Sequence, residues 1–124
     1  MGARGHRGKP AGGYSRMLRV NQVLRQVLAE AIERLRDGDE RFERLTVTDV
    51  DVSGDLSLAT VYFDDLREDQ LAALEERRGH LQHTIAREVT LKRTPKLRFM
   101  VDPSIVAGAR IDELLRKANE ESDE

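Results

Sequence analysis

The 124-residue chain has no cysteine and no tryptophan, three prolines, and aromatic residues at only 4% of its length. Without cysteine there is no disulfide framework, no zinc–thiolate site and no thiol nucleophile. A reducing cytoplasm is compatible with that composition. No apolar run approaches the roughly 18 residues of a membrane-spanning helix. The basic N-terminus lacks the apolar stretch of a signal peptide. A soluble cytoplasmic protein of one domain is therefore expected, long enough to bury a core without a metal or disulfide staple.

What the chain does have is charge: 35% of residues are Asp, Glu, Lys or Arg, and the formal net charge is −2. That balance hides a gradient. Residues 1–36 hold two acids, Glu30 and Glu33, among many arginines, whereas Glu120, Glu121, Asp123 and Glu124 make the tail acidic. Such asymmetry points to a polyanion partner or a solvating tail. A partner meets local patches, so net charge does not decide between them. Arginine far outnumbers lysine, which either RNA contact or a GC-rich genome would produce.

Residues 1–14 begin "MGARGHRGKPAGG", rich in Gly and Arg and almost free of large apolar groups. They read as a flexible basic arm. "GKP" is not a phosphate-binding loop, because no Gly-Lys-Ser/Thr follows a strand. From Ser15, a plausible N-cap, to Asp37 the residues Met17, Val20, Leu24, Val27, Leu28, Ala31 and Leu35 recur at helical spacing. Gly38 suits a left-handed cap. Arg16, Arg19, Arg25, Arg34 and Arg36 flank that stripe, either as a solvated face or as phosphate contacts.

Two β-rich runs follow, "LTVTDVDV" and "LSLATVYF", separated by Ser53-Gly54-Asp55. They predict a hairpin. Leu45 and Val47 fall on one parity and Val50 and Val52 on the other, so a bulge or a late strand start is expected. Asp64-Asp65 is positioned to cap a second helix from about Arg67. Its apolar stripe runs through Leu71, Leu74, Leu81, Ile85 and Val89 to about Leu91, and Gly79 predicts a kink or break.

"TLKRTPKLRF", Thr90 to Phe99, carries the densest positive charge. Pro95 disfavours helix at Thr94 and suits the first position of a strand. Beyond it Leu97, Phe99 and Val101 alternate with Lys96, Arg98 and Met100, which predicts one core face and one basic face. The helix dipole would account for Lys92 and Arg93 near a helix end, but not for Lys96 and Arg98. Four cations in seven residues without an acid favour an RNA-phosphate patch. After Asp102-Pro103 a short helix, "RIDELLRKANEE", presents Ile111, Leu114 and Leu115 before the tail.

The predicted fold is α+β, with helix, strand, strand, helix, kink, helix, strand: a three-stranded sheet packed on helices. That is the order of a type II KH domain, assigned to residues 15–104, with the short helix and acidic tail in 105–124. The Gly-x-x-Gly loop of an ordinary KH domain is absent. "VDVSGDLSLATVYF" resembles the hairpin of the bacterial ribosome-binding factor A family, with Asp55, Leu56, Ala59, Val61 and Tyr62 in matching places. "LKRTPKLRFMVDPSIVAGARIDELL" resembles its C-terminal signature through Arg93, Thr94, Pro95, Leu97, Arg98, Phe99, Asp102, Ile111, Leu114 and Leu115. "RVNQVLRQVLAEAI" is similar to its first helix.

This resemblance implies a non-enzymatic assembly factor that binds the free 30S subunit near its neck, not the 70S ribosome. It also implies support for late 16S rRNA processing at the 5′ end and for cold adaptation. No cofactor, metal or membrane is implied, and a monomer is expected. The family builds its kink on Ala-x-Gly; here the glycine is Gly79, Arg77 stands at the alanine position, and Gln82 stands where a basic residue is frequent. The expected RNA-binding set is Lys92, Arg93, Lys96, Arg98, Arg87, Arg16, Arg19, Arg25, Arg77 and Arg78.

Two other readings compete. His80 and His83, one turn apart with Glu76 a turn earlier, sketch a metal face, and Asp64-Asp65 an acid pair; each needs convergence in one pocket. A protein-binding module would use the C-terminal helix and acidic tail, with its cations scattered.

Overall fold

The computed structural model describes residues 8–122. In chain order it contains α1 (Gly8–Leu35), a 3-10 turn (Glu40–Phe42), β1 (Val47–Val52), β2 (Leu58–Phe63), α2 (Glu68–Glu76), α3 (Arg78–Glu88), β3 (Lys96–Val101) and α4 (Pro103–Ser122). The sheet order is β1-β2-β3, with β2 antiparallel to β1 and parallel to β3. A parallel pair needs a long crossover, which α2 and α3 supply. The fold is α+β, a three-stranded sheet with α1 and α3 on one face.

The core lies between that face and the helices. Leu24, Leu28, Ala31 and Ile32 of α1 meet Val50, Val52, Ala59, Val61, Phe63, Leu97 and Phe99 of the sheet and Leu81 and Ile85 of α3, all buried. Phe99 is a core residue as expected, and Phe63 is buried beside it, their ring centroids 6.3 Å apart. Burying one such aromatic or aliphatic side chain contributes roughly 1.5–3 kcal/mol.

The irregular alternation of the first strand has a physical cause. Val47 pairs with Phe63 and Asp49 with Tyr62, leaving Thr48 as the extra residue of a β-bulge. The bulge shifts parity by one, so Val50 and Val52 both reach the core. The hairpin turn is held by one Asp55 carboxylate oxygen, which accepts from the Ser53 hydroxyl (2.8 Å), the Ser57 N–H (3.0 Å) and the Ser57 hydroxyl (2.7 Å). The left-handed residue of this turn is Leu56 (φ 63°), not Gly54.

Several boundaries differ from expectation. α1 begins at Gly8, ahead of Ser15, so Ser15 does not cap it; residues 1–7 of the expected arm lie outside the described residues. Gly38 is not left-handed. The helix closes instead with the Gly38 and Asp39 N–H groups both donating to the Leu35 carbonyl, and extended Asp39 then caps the 3-10 turn. Asp64-Asp65 does not cap α2. The N-cap is Arg67, whose N–H donates to Oε1 of buried Gln70 at 2.8 Å.

The break between α2 and α3 falls at Arg77 (φ −100°, ψ 6°), two residues before Gly79. Gly79 is helical, and a Cβ there would meet nothing within 4 Å. α3 stops at Glu88, and Val89 is already extended. The C-terminal helix is not short: it runs 20 residues from Pro103. Its N-cap is Asp102, whose Oδ1 accepts from the Ser104 N–H (2.9 Å) and hydroxyl (2.6 Å). Residues 123–124 of the acidic tail lie outside the described residues.

Candidate nucleic-acid interface

β3 places the basic residues as its period requires. Leu97 and Phe99 point into the core; Lys96, Arg98 and Met100 are exposed on the open face. Pro95 is buried just ahead of the strand. The Lys96 N–H donates to the Ser57 carbonyl at 3.0 Å, which seats the start of β3 beside the hairpin turn. Lys92 and Arg93 are exposed in the loop leading there. Arg93 is close enough to Asp55 for its charge to favour the carboxylate. The Ser57 hydroxyl, then the Ser57 N–H and the Ser53 hydroxyl, do more, and hold Asp55 at about 2. Asp55 is thus an acid within the basic end, fixed by the turn it builds.

Arg98 lies one pleat further in. It pairs in register with Thr60, which pairs with Asp51. Its Nη2 donates to the Thr60 hydroxyl at 3.0 Å, and Thr60 is only 4% exposed. The open face is therefore graded: Asp49 and Asp51 on β1, Thr60 and Tyr62 on β2, Lys96 and Arg98 on β3.

α1 brings more cations to the same end. It runs antiparallel to β1, with Asn21 bonded to the Val52 N–H (3.0 Å) and Arg25 to the Thr48 carbonyl (3.4 Å). Residues before Asn21 continue past the hairpin end. At 1.5 Å per residue, Arg19 and Arg16 lie about 3 and 7.5 Å further along the axis, and both are exposed. Lys92, Arg93, Lys96, Arg16 and Arg19 thus lie toward the hairpin end of the sheet, with Lys96 and Arg98 on its open face and Arg16, Arg19 and Arg25 on the helix that covers the other.

The remaining candidates lie elsewhere, beside acidic groups. Arg78 lies at the helix break, with its guanidinium 5.6 Å from the Phe99 ring centroid, and pairs with Glu75. Arg77 neighbours an acidic cluster, where its charge helps keep Asp39 and Glu76 ionised. Arg41 ties that cluster together, at 2.7 Å from Asp39 and 2.8 Å from Glu76. Its hydrogen bonds, chiefly from its side chain, hold the Asp39 carboxyl at about 2. Arg87 pairs with Glu88 at 3.5 Å, and Arg34 meets the same carboxylate at 3.7 Å. Arg36 donates to the Phe42 and Leu45 carbonyls, fastening the 3-10 turn to α1.

Gln82 has a role that sequence reasoning missed. Its Oε1 accepts the outward N–H of Leu97 at 3.0 Å, closing the edge of β3. A basic side chain cannot accept that bond. Among the described residues no group of three or more His, Cys, Asp or Glu side chains is arranged to hold a metal. His80 and His83 are exposed, and Glu76 is occupied by Arg41. Asp64 and Asp65 are exposed. No described helix is long and apolar enough to cross a membrane.

The family described as ribosome-binding factor A matches residues 16–115. The chain belongs to the ribosome-binding factor A family. It is 38% identical over 109 residues to ribosome-binding factor A of Paenarthrobacter aurescens, a match spanning 84% of this chain and 65% of that protein. The crystal structure of ribosome-binding factor A from Thermus thermophilus is similar at 35% identity and TM-score 0.62, covering 67% of this chain and 92% of that one. A Thermus thermophilus ribosome-binding factor A fitted into the cryo-EM map of a 30S complex is similar at 36% identity and TM-score 0.53, over 63% and 86%. The solution structure of a Thermotoga maritima relative is similar at 27% identity and TM-score 0.56, over 68% and 84%. The structural match carries the KH-like arrangement expected from the element order.

Proposed function

We propose that this protein is a non-enzymatic, cytoplasmic assembly factor that binds 16S rRNA of the free 30S subunit as a monomer and does not bind 70S ribosomes. It supports late processing of the 16S rRNA 5′ end and growth in the cold. Residues 15–104 are the binding unit, between a basic arm in 1–14 and an appendage in 105–124. The reading is supported by membership of a ribosome-binding family, one of whose relatives was fitted into a 30S complex. The observation that carries it in this chain is the placing of Lys96 and Arg98 on β3 and of Arg16 and Arg19 on α1 toward the hairpin end, with Lys92 and Arg93 in the loop before β3.

The mechanism is positional. Lysine and arginine neutralise phosphates and release counterions, which fixes orientation but reads little sequence. β3 and α1 hold Lys96, Arg98, Arg16 and Arg19 at set spacing, so ordering those four costs little on binding, and Lys92 and Arg93 add charge from the loop before β3. Arg98 is further restrained by Thr60. Aromatics are few and Phe63 and Phe99 are buried, so base stacking on rings is a minor contribution.

The quadruple charge reversal Lys92→Glu, Arg93→Glu, Lys96→Glu and Arg98→Glu tests this. All four side chains are exposed, so circular dichroism and the melting profile should stay native. Binding to 30S subunits should fall by roughly two or more orders of magnitude. Unchanged binding by a folded variant refutes the assignment.

A further inference from the structure

A groove of about 800 Å³ runs between α1 and the outer edge of β1. Gln22, Arg25 and Gln26 line one wall, Thr46, Val47 and Thr48 the other. Arg19, Gln22 and Gln26 recur at i, i+3 and i+7, so one helix face leads from the basic hairpin end into the groove. We propose that this groove is a single-stranded RNA site that takes an unpaired nucleotide, adenine preferred, while its backbone leaves over Arg19 and Arg16. The inference rests on the RNA-binding reading above and adds to it a site that reads bases.

The lining chemistry supports a base. A glutamine amide offers a donor and an acceptor side by side, the pattern that pairs bidentately with adenine. Gln22 and Gln26 are one turn apart and both border the space, Gln26 keeping its Oε1 and one amide hydrogen for a base while its Nε2 donates to Glu30. No aromatic lines it, so any stacking surface must be a guanidinium plane. Arg25 fits that role: it is exposed, and its bond to the Thr48 carbonyl fixes it at the wall. Glu30 bonds to Gln26 at 3.3 Å and closes the far end with a negative charge. A phosphate track entering from the hairpin side would stop there.

The edge chemistry disfavours a peptide. Strand addition needs free backbone groups along the edge. On β1 the Val52 N–H is held by Asn21, the Val50 N–H by the Asp49 side chain and the Thr48 carbonyl by Arg25. A peptide strand would have to displace all three.

The full chain, isotope-labelled, would be titrated with short oligoadenylate, oligocytidylate and oligouridylate, following backbone amides by NMR. Oligoadenylate should bind roughly tenfold more tightly than the pyrimidine oligonucleotides. Perturbations should include Gln22, Arg25, Gln26 and residues 46–48. The double variant Gln22→Ala with Gln26→Ala should bring the ratio to about one while leaving pyrimidine affinity within about twofold. Equal affinities, perturbations confined to Lys92–Arg98, a ratio untouched by the double variant, or no binding of any oligonucleotide each overturn the groove. Co-sedimentation of both proteins with 30S subunits is read separately. Retained 30S binding after any of those outcomes leaves the wider reading intact, and loss of 30S binding by the wild-type chain defeats that reading instead.

Discussion

The two ends of the domain use arginine in opposite ways. At the hairpin end, Arg16, Arg19 and Arg93 are exposed and stand with Lys92 and Lys96. Asp55 stands among them with its carboxylate taken up by its own turn, and exposed Asp51 borders the same end of β1. At the helix break, Arg41, Arg77 and Arg78 are equally cationic but face Asp39, Glu75 and Glu76, and Arg78 lies over Phe99. A phosphate approaching the first end meets cations in excess of acids. One approaching the second must compete with carboxylates already in place. The difference shows that residue type alone does not define a binding surface; the local acid balance does.

That contrast can be broken by mutation. The largest expected effect is on binding. Arg93→Glu paired with Lys96→Glu should weaken 30S association by roughly tenfold or more and flatten its salt dependence. Arg77→Glu should change it by about twofold or less. Equal losses from the two would erase the distinction between the ends.

Gln82→Lys separates fold from charge. It adds a cation but leaves the Leu97 N–H without its acceptor. A cost of about 1–3 kcal/mol in unfolding free energy is expected, measured by urea denaturation. Arg78→Ala should destabilise by about 1 kcal/mol through loss of the ring contact and leave 30S binding unchanged.

Smaller still is Gly79→Ala. The site is helical and open, so stability should rise by about 0.5–1 kcal/mol. A decrease would mean that the glycine itself is needed at the break.

The acid limb of stability sharpens the same comparison. Asp39 is held at about 2 in the fold, below its unfolded value of about 3.9. Its contribution is therefore complete above about pH 4 and lost as pH falls toward 2. Asp39→Asn should shallow the fall in melting temperature across that window. Asp55→Asn should do the same at the hairpin end, since Asp55 is also held at about 2.

Much of this was legible in the sequence. β3 is marked by Pro95 and a clean two-residue period, so its bounds and faces follow from local sterics. The hairpin was legible too, and its parity fault correctly announced an irregularity, resolved by the bulge at Thr48. What the chain hid are features set by tertiary partners. The helix break moves from Gly79 to Arg77, which sits where α2 meets the cluster of Asp39, Arg41 and Glu76. Gln82 looks like a lost charge until Leu97 is seen beside it. Arg78 looks like a free cation until Phe99 lies under it. α4 begins early because Asp102 caps it while bonding the Thr48 hydroxyl at 2.6 Å, a partner 54 residues away.

The most direct test of the central claim is co-sedimentation of the full chain with purified 30S subunits and 70S ribosomes across a salt series. Association with free 30S alone is expected, lost steeply as salt rises. Association with neither particle, or equal and salt-insensitive association with both, contradicts it.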